Sequence, residues 1–172
     1  MKRNILLALF CVFVFAGCKL SYSFTGTDID YNETKTINIH QFTNQATLIY
    51  PTLAQTLSEK MRDVYTKSTK LKFTERDPDI EIEGEIIRYD LTQQAVKDNA
   101  YASETRLSMT VRVRYRNNKN PSKNKNDLTY SAYRDFSNQN MLTDVQEQLV
   151  TELTEDIVDQ IFNGTMSNWA DK

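Results

Sequence analysis

The first apolar feature of the chain is a run, Ile5 to Ala16, of twelve residues with no polar side chain; it stops at Gly17-Cys18. Beyond it the apolar positions become periodic. "KTINIHQF" alternates, with Ile37 and Ile39 on one face, which predicts a strand over about 35–42. Pro51 then opens a segment in which Leu53, Leu57, Met61 and Val64 recur every three or four residues, the spacing that stacks side chains on one side of a helix over about 51–67. "DIEIEGEIIRYDL" alternates again, but its phase slips at Ile86-Ile87, where a bulge would restore the inward set at Tyr89 and Leu91. "ETRLSMTVRVRYRN" alternates without a break: Leu107, Met109, Val111, Val113 and Tyr115 against Arg106, Thr110, Arg112, Arg114 and Arg116. One face of that strand must be buried and the other wet.

Residues 117–127, "NNKNPSKNKND", have nothing apolar to bury and predict an exposed hairpin loop, after which "DLTYSAYRDF" supplies a last strand. Thr143 to Gln146 has the spacing of a capping box, and Val145, Leu149, Leu153, Ile157 and Ile161 mark a second helix over about 144–163. The order is β-α-β-β-β-α. One apolar stripe on each helix and one apolar face on the sheet give an α+β fold, a mixed four-stranded sheet with two helices packed on one face.

The initial run acquires a meaning from its flanks. Lys2 and Arg3 precede it and the small residues Ala16 and Gly17 end it, the layout of an export signal; a helix spanning a bilayer needs about 20 apolar residues. Phe15-Ala16-Gly17-Cys18 resembles the bacterial lipobox, in which the cysteine after the cleaved bond receives lipid; Phe15 departs from the usual leucine. The chain therefore divides into a lipoprotein signal peptide (1–17), a lipidated tether (18–34) and a single domain (35–172). Cleavage removes Cys11 with the signal and leaves Cys18 as the lone thiol, so the domain holds by packing without a disulfide.

Charge and candidate chemistry narrow the function. The 21 basic residues lose Lys2 and Arg3 with the signal, leaving 19 against 23 acidic, a net charge of −4 with no general attraction for nucleic acid. The single histidine, His40, falls in the first predicted strand beside Ile39 and reads as structural, since no second His completes a metal or nucleophile set. Four glycines provide no phosphate loop, and Glu81, Glu83 and Glu85 at strand spacing on a wet face have nothing to raise a carboxyl pKa. No enzyme, metal or cofactor is expected.

Two polar or aromatic features remain. Arg106, Arg112 and Arg114 form a stripe of guanidinium forks suited to phosphate or carboxylate groups. The same stripe can form cross-strand ion pairs: a hairpin closed by 92–103 with pairing sums near 195 sets Glu83 opposite Arg112 and Glu81 opposite Arg114, and both readings can hold, since paired arginines on an open sheet face can still meet a ligand. Tyr22, Phe24 and Trp169 lie outside the predicted elements, either as contacts to a partner or as covers for the edge of the core.

"GCKLSYSFTG", "FTNQATLIYPTLAQTL", "EGEIIRY", "LSMTVRVRYRN" and "IFNGTMSNW", in this order across 17–169, resemble the LptE family of lipopolysaccharide-assembly lipoproteins in its Bacteroidota form. The resemblance implies an outer-membrane lipoprotein, anchored through Cys18 and facing the periplasm. It further implies that the domain plugs an LptD-like β-barrel and assists the insertion of lipopolysaccharide into the outer leaflet. It implies two helices on a four-stranded sheet, and direct lipopolysaccharide contact through basic side chains for which Arg106, Arg112 and Arg114 are the candidates. The alternative is an adaptor or pilot lipoprotein of another outer-membrane machine; a lipid-anchored hydrolase would need a catalytic set that the residues do not supply.

Overall fold

The computed structural model describes residues 29–94 and 104–166. In chain order the elements are β1 (Thr36–Ile39), β2 (Thr43–Asn44), α1 (Leu53–Ser68), β3 (Lys72–Phe73), β4 (Ile80–Gln93), β5 (Glu104–Asn117), a short 3-10 turn (Pro121–Lys123), β6 (Lys125–Ser137) and α2 (Leu142–Met166). The sheet is mixed and runs β3-β1-β4-β5-β6, with β2 also on β4. β1 is parallel to both β3 and β4, whereas β4, β5 and β6 form an antiparallel meander. The α+β architecture is the expected one, with six strands in place of four. The two additions, β2 and β3, are two residues each, too short to leave a period in the sequence.

The first predicted strand is broken because Phe42 turns inward. Its backbone N–H donates to Ser58 Oγ at 2.9 Å, and Ser58 Oγ donates in turn to the Ala54 carbonyl at 2.7 Å. The buried Phe42 ring then lies against Gly84, where a Cβ would overlap the ring and stand 2.7 Å from the Arg112 carbonyl oxygen. Gly84 lies on the buried side of β4 between Ile82 and Ile86, and the absence of a side chain there lets an aromatic ring complete the core.

Helix α1 begins two residues later than Pro51 suggested, and Leu53 N–H closes the preceding turn onto the Tyr50 carbonyl at 3.0 Å. Its buried face is Leu53, Leu57, Met61 and Tyr65, with Val64 half-buried beside them. Tyr65 is wholly enclosed: its hydroxyl shares a 2.5 Å hydrogen bond with Thr165 of α2, and its ring meets Phe162 edge-on at 5.1 Å. Burial pushes the phenol pKa far up, so the group stays neutral. The capping box at 143–146 does not form. Helix α2 starts at Leu142, so Thr143 lies within the helix and its hydroxyl approaches Asp144, while Gln146 reaches Tyr89 Oη at 3.0 Å. Leu149, Leu153, Ile157 and Ile161 face the core as their spacing required. Arg134 of β6 ties α2 to the sheet edge through Glu152 at 2.8 Å and Asp156 at 2.7 Å.

Asp79 fastens the opposite end of the sheet. Its Oδ2 accepts from the backbone N–H groups of Lys35 at 2.8 Å and Thr36 at 3.0 Å, Lys119 Nζ stands 3.3 Å from Oδ1, and Asp79 N–H donates to Thr36 Oγ1 at 2.9 Å. Burial alone would raise this carboxyl pKa, but these donors outweigh it and hold the group at about 2. A folded-state pKa below the unfolded value stabilises the fold above pH ~4, and this contribution is lost as pH falls towards 2. Asp79→Asn is therefore expected to cost about 2 kcal/mol at pH 7 in urea unfolding, with a gap from wild type that closes as the pH approaches 2.

Candidate functional site

Among the described residues, the two helices cover one face of the sheet and leave the other open. That open face carries alternate residues of the three long strands: Glu81, Glu83, Glu85, Arg88 and Asp90 from β4, the arginines of β5, and Thr129, Ser131, Tyr133 and Asp135 from β6. The bulge predicted near Ile86-Ile87 is present, between Ile86 and Arg88, and keeps the polar set on one face along all of β4.

The expected register is off by two residues. Glu83 is opposite Arg114, Glu81 opposite Arg116 and Glu85 opposite Arg112, so the pairing sum is 197 here and not near 195. A shift of two leaves every side chain on its own face, and an alternating pattern therefore carries no information that separates the two registers. Ion pairing itself is as the alternation suggested. Glu83 receives Arg114 at 3.2 Å and Arg116 at 3.0 Å, while Arg116 also lies 3.8 Å from Glu81. Arg88 stands 3.8 Å from Asp90.

Arg106 is separate from the other two candidates. Its Nε and Nη2 donate to the two oxygens of Asp135 at 2.7 and 2.8 Å, and its guanidinium lies 3.7 Å from the centre of the Tyr133 ring. The hydrogen bonds from Arg106 hold the Asp135 pKa below the usual carboxylate range, and the same contact raises that of Arg106. This fork is fully used within the sheet.

Arg112 and Arg114 do come together, and His40 joins them. His40 is not within a strand: it follows β1, its N–H donates to the Ile82 carbonyl at 2.9 Å, and its ring is exposed, 3.5 Å from Asn38 Nδ2. His40, Gln41 and Thr43 line a concavity of about 220 Å³ with Glu83, Glu85, Arg112 and Arg114. Arg112 Nε is 3.1 Å from Glu85 Oε1, an ion-pair distance, yet its N–H is not aligned on that oxygen and finds no hydrogen-bond acceptor. A weak signal for this site was available in the sequence, since His40 has the same parity as Asn38 on the polar side of β1.

Among the described residues, no three His, Cys, Asp or Glu side chains are grouped to hold a metal ion, and no helix is long and apolar enough to cross a membrane. Cys18, Tyr22, Phe24 and Trp169 lie outside the described residues.

An open mixed sheet with one helical layer and a self-paired polar face defines an α+β domain. The model of the LptE family, lipopolysaccharide-assembly, matches residues 34–164, most of the chain, and the protein belongs to that family. Two solved structures share the fold. Lipoprotein B from Nitrosomonas europaea is 14% identical with a TM-score of 0.50 over 74% of this chain and 79% of its own. A Xanthomonas campestris protein is 6% identical with a TM-score of 0.51 over 77% of this chain and 84% of its own. No curated protein sequence matches the chain significantly.

Proposed function

We propose that the mature chain is an outer-membrane lipoprotein, anchored through Cys18 on the periplasmic face, that seats in the lumen of an LptD-like β-barrel and assists the insertion of lipopolysaccharide into the outer leaflet. The observation that carries this reading is the family match over 34–164. The open sheet face supports it physically, because the interior of a membrane β-barrel is polar and a plug must present it with polar surface that needs no further neutralisation. Within this reading Tyr22, Phe24 and Trp169 are partner contacts. Tethering at Cys18 keeps the domain at a high effective concentration beside a membrane partner.

Purification of the tagged, lipidated chain from its own membranes tests this reading. A large β-barrel retained in near-equal amount through detergent washes is the expected result. Retention of a different outer-membrane machine with no barrel of this kind would establish the adaptor reading instead.

A further inference from the structure

β6 ends the sheet, and the side it turns away from β5 has no strand on it among the described residues. Two observed bonds fix which groups point there. The Ser131 carbonyl accepts from Gln160 Nε2 at 3.2 Å and the Tyr133 carbonyl from Arg134 Nη1 at 3.0 Å, so both face away from β5. An antiparallel ladder turns the backbone groups of alternate residues to alternate sides, and Thr129 and Asp135 therefore share that direction. All four residues are exposed. Their N–H groups form a row about 20 Å long, and no backbone acceptor of the described residues outside the sheet meets them.

The strand lacks the features that keep such an edge from pairing. Leu128 to Tyr133, "LTYSAY", has no charge, proline or glycine, the composition that most readily adds a strand. Asp135 is neutralised by Arg106, and Arg134 is held by Glu152 and Asp156. Backbone donors and acceptors at this spacing are matched by another extended backbone. Gln160 and Arg134 occupy two carbonyls of the row, but both are long, rotatable side chains and leave the four N–H groups untouched.

The flank of α2 beside this edge selects among strands. Glu152 and Asp156 share the single Arg134, and Asp159, next to Gln160, has no ion-pair partner among the described residues. Two copies of this chain joined edge to edge about a two-fold axis would bring these acidic flanks onto one face of a joint sheet, where they repel. A segment with Lys or Arg on its helix side is attracted instead.

We propose that the free edge of β6, Thr129 to Asp135, is where an extended, basic segment of the protein partner adds as a further strand. This rests on the barrel-docking reading above and specifies its contact. The wall strands of a closed barrel are paired on both sides, so the segment comes from a loop or from chain outside the wall.

The test uses the lipidated full chain, alone and with its co-purified barrel. Residue-resolved hydrogen exchange is expected to find the amides of Thr129, Ser131, Tyr133 and Asp135 fast in the free chain and slowed at least about tenfold in the complex. Those of Tyr130, Ala132 and Arg134, turned to β5, are expected to be slow in both. Ser131→Pro removes one donor of the row and no ladder bond, whereas Ser131→Ala removes the same side chain and keeps the donor. Ser131→Pro is expected to retain the barrel about tenfold less well than Ser131→Ala. Wild-type retention is expected to fall between about 0.1 and about 0.5 M NaCl. Unchanged exchange of the four amides in the complex overturns this inference alone, as does equal retention by the two variants or retention indifferent to salt. Protection of the four amides in the free chain also overturns it: with a doubling of mass the added strand belongs to a second copy, and without one the chain covers its own edge. The exchange measurement needs no substitution and decides even if Ser131→Pro does not fold. If the wild type retains no barrel, the docking reading itself fails, and this inference with it.

Discussion

Gly84→Val is expected to be among the most damaging single substitutions in the domain, with a loss of about 3–5 kcal/mol in urea or thermal unfolding. The position is hemmed in by side chain and by backbone. A Cβ would overlap the Phe42 ring and approach the Arg112 carbonyl oxygen of the neighbouring strand to 2.7 Å, and backbone cannot yield as a flexible side chain can. The branched side chain can be accommodated only by driving Phe42, which is 2% exposed, out of the core, or by parting β4 from β5. Displacing the ring also breaks the Phe42 N–H to Ser58 Oγ bond that holds the β1–β2 connection on α1. A typical domain has about 5–15 kcal/mol in hand, so the variant should be partly unfolded at 37 °C. The double variant Gly84→Ala with Phe42→Ala separates the two collisions. If the ring is the main obstacle, the pair should be less damaging than the sum of its parts, by a coupling of about 1 kcal/mol or more. If Gly84→Val unfolds at the wild-type denaturant concentration, the contact between Phe42 and Gly84 does not carry the packing role assigned to it.

The second large effect concerns location. Cys18→Ala is expected to leave the domain folded and to move it from the membrane fraction to the soluble periplasmic fraction, when expressed without the barrel. Acyl chains contribute about 0.8 kcal/mol for each buried CH₂; one chain alone binds only marginally, whereas the two or three chains of a lipoprotein hold together firmly. Among the described residues no helix is long and apolar enough to cross a bilayer. Far-UV circular dichroism and the melting midpoint should match wild type. Firm membrane association of the alanine variant in the absence of the barrel would refute lipid anchoring at Cys18.

Much of the fold was legible because it depends on local periodicity. Leu53, Leu57 and Met61 at helical spacing, and Leu107 to Tyr115 at strand spacing, are buried because the same residues that set the period also form the only surface worth hiding. The bulge at Ile86 was visible for the same reason, since a single extra residue shifts the phase. The site was less legible. The parity of Arg112 and Arg114 placed them on the wet face, but their partners lie two residues away from the expected ones. His40 reads as part of a strand because it directly follows the alternating Ile37 and Ile39, whereas β1 ends at Ile39 and Phe42, out of phase with that alternation, packs against Gly84. A glycine inside an otherwise regular strand marks a place where another group comes close, and that was the available signal. Asp79 left no signal of its own, because the two backbone donors it joins lie 43 and 44 residues away.

By itself, the sequence determined the kinds of element, which side of each is buried and the family resemblance. These follow from neighbours along the chain, whose spacing fixes where side chains point. Only the tertiary structure decided which carboxylate meets which arginine, and that His40 opens beside Arg112 and Arg114. Those depend on the offset between strands, and a two-residue slip would preserve the entire polar and apolar pattern while exchanging every ion pair on the face.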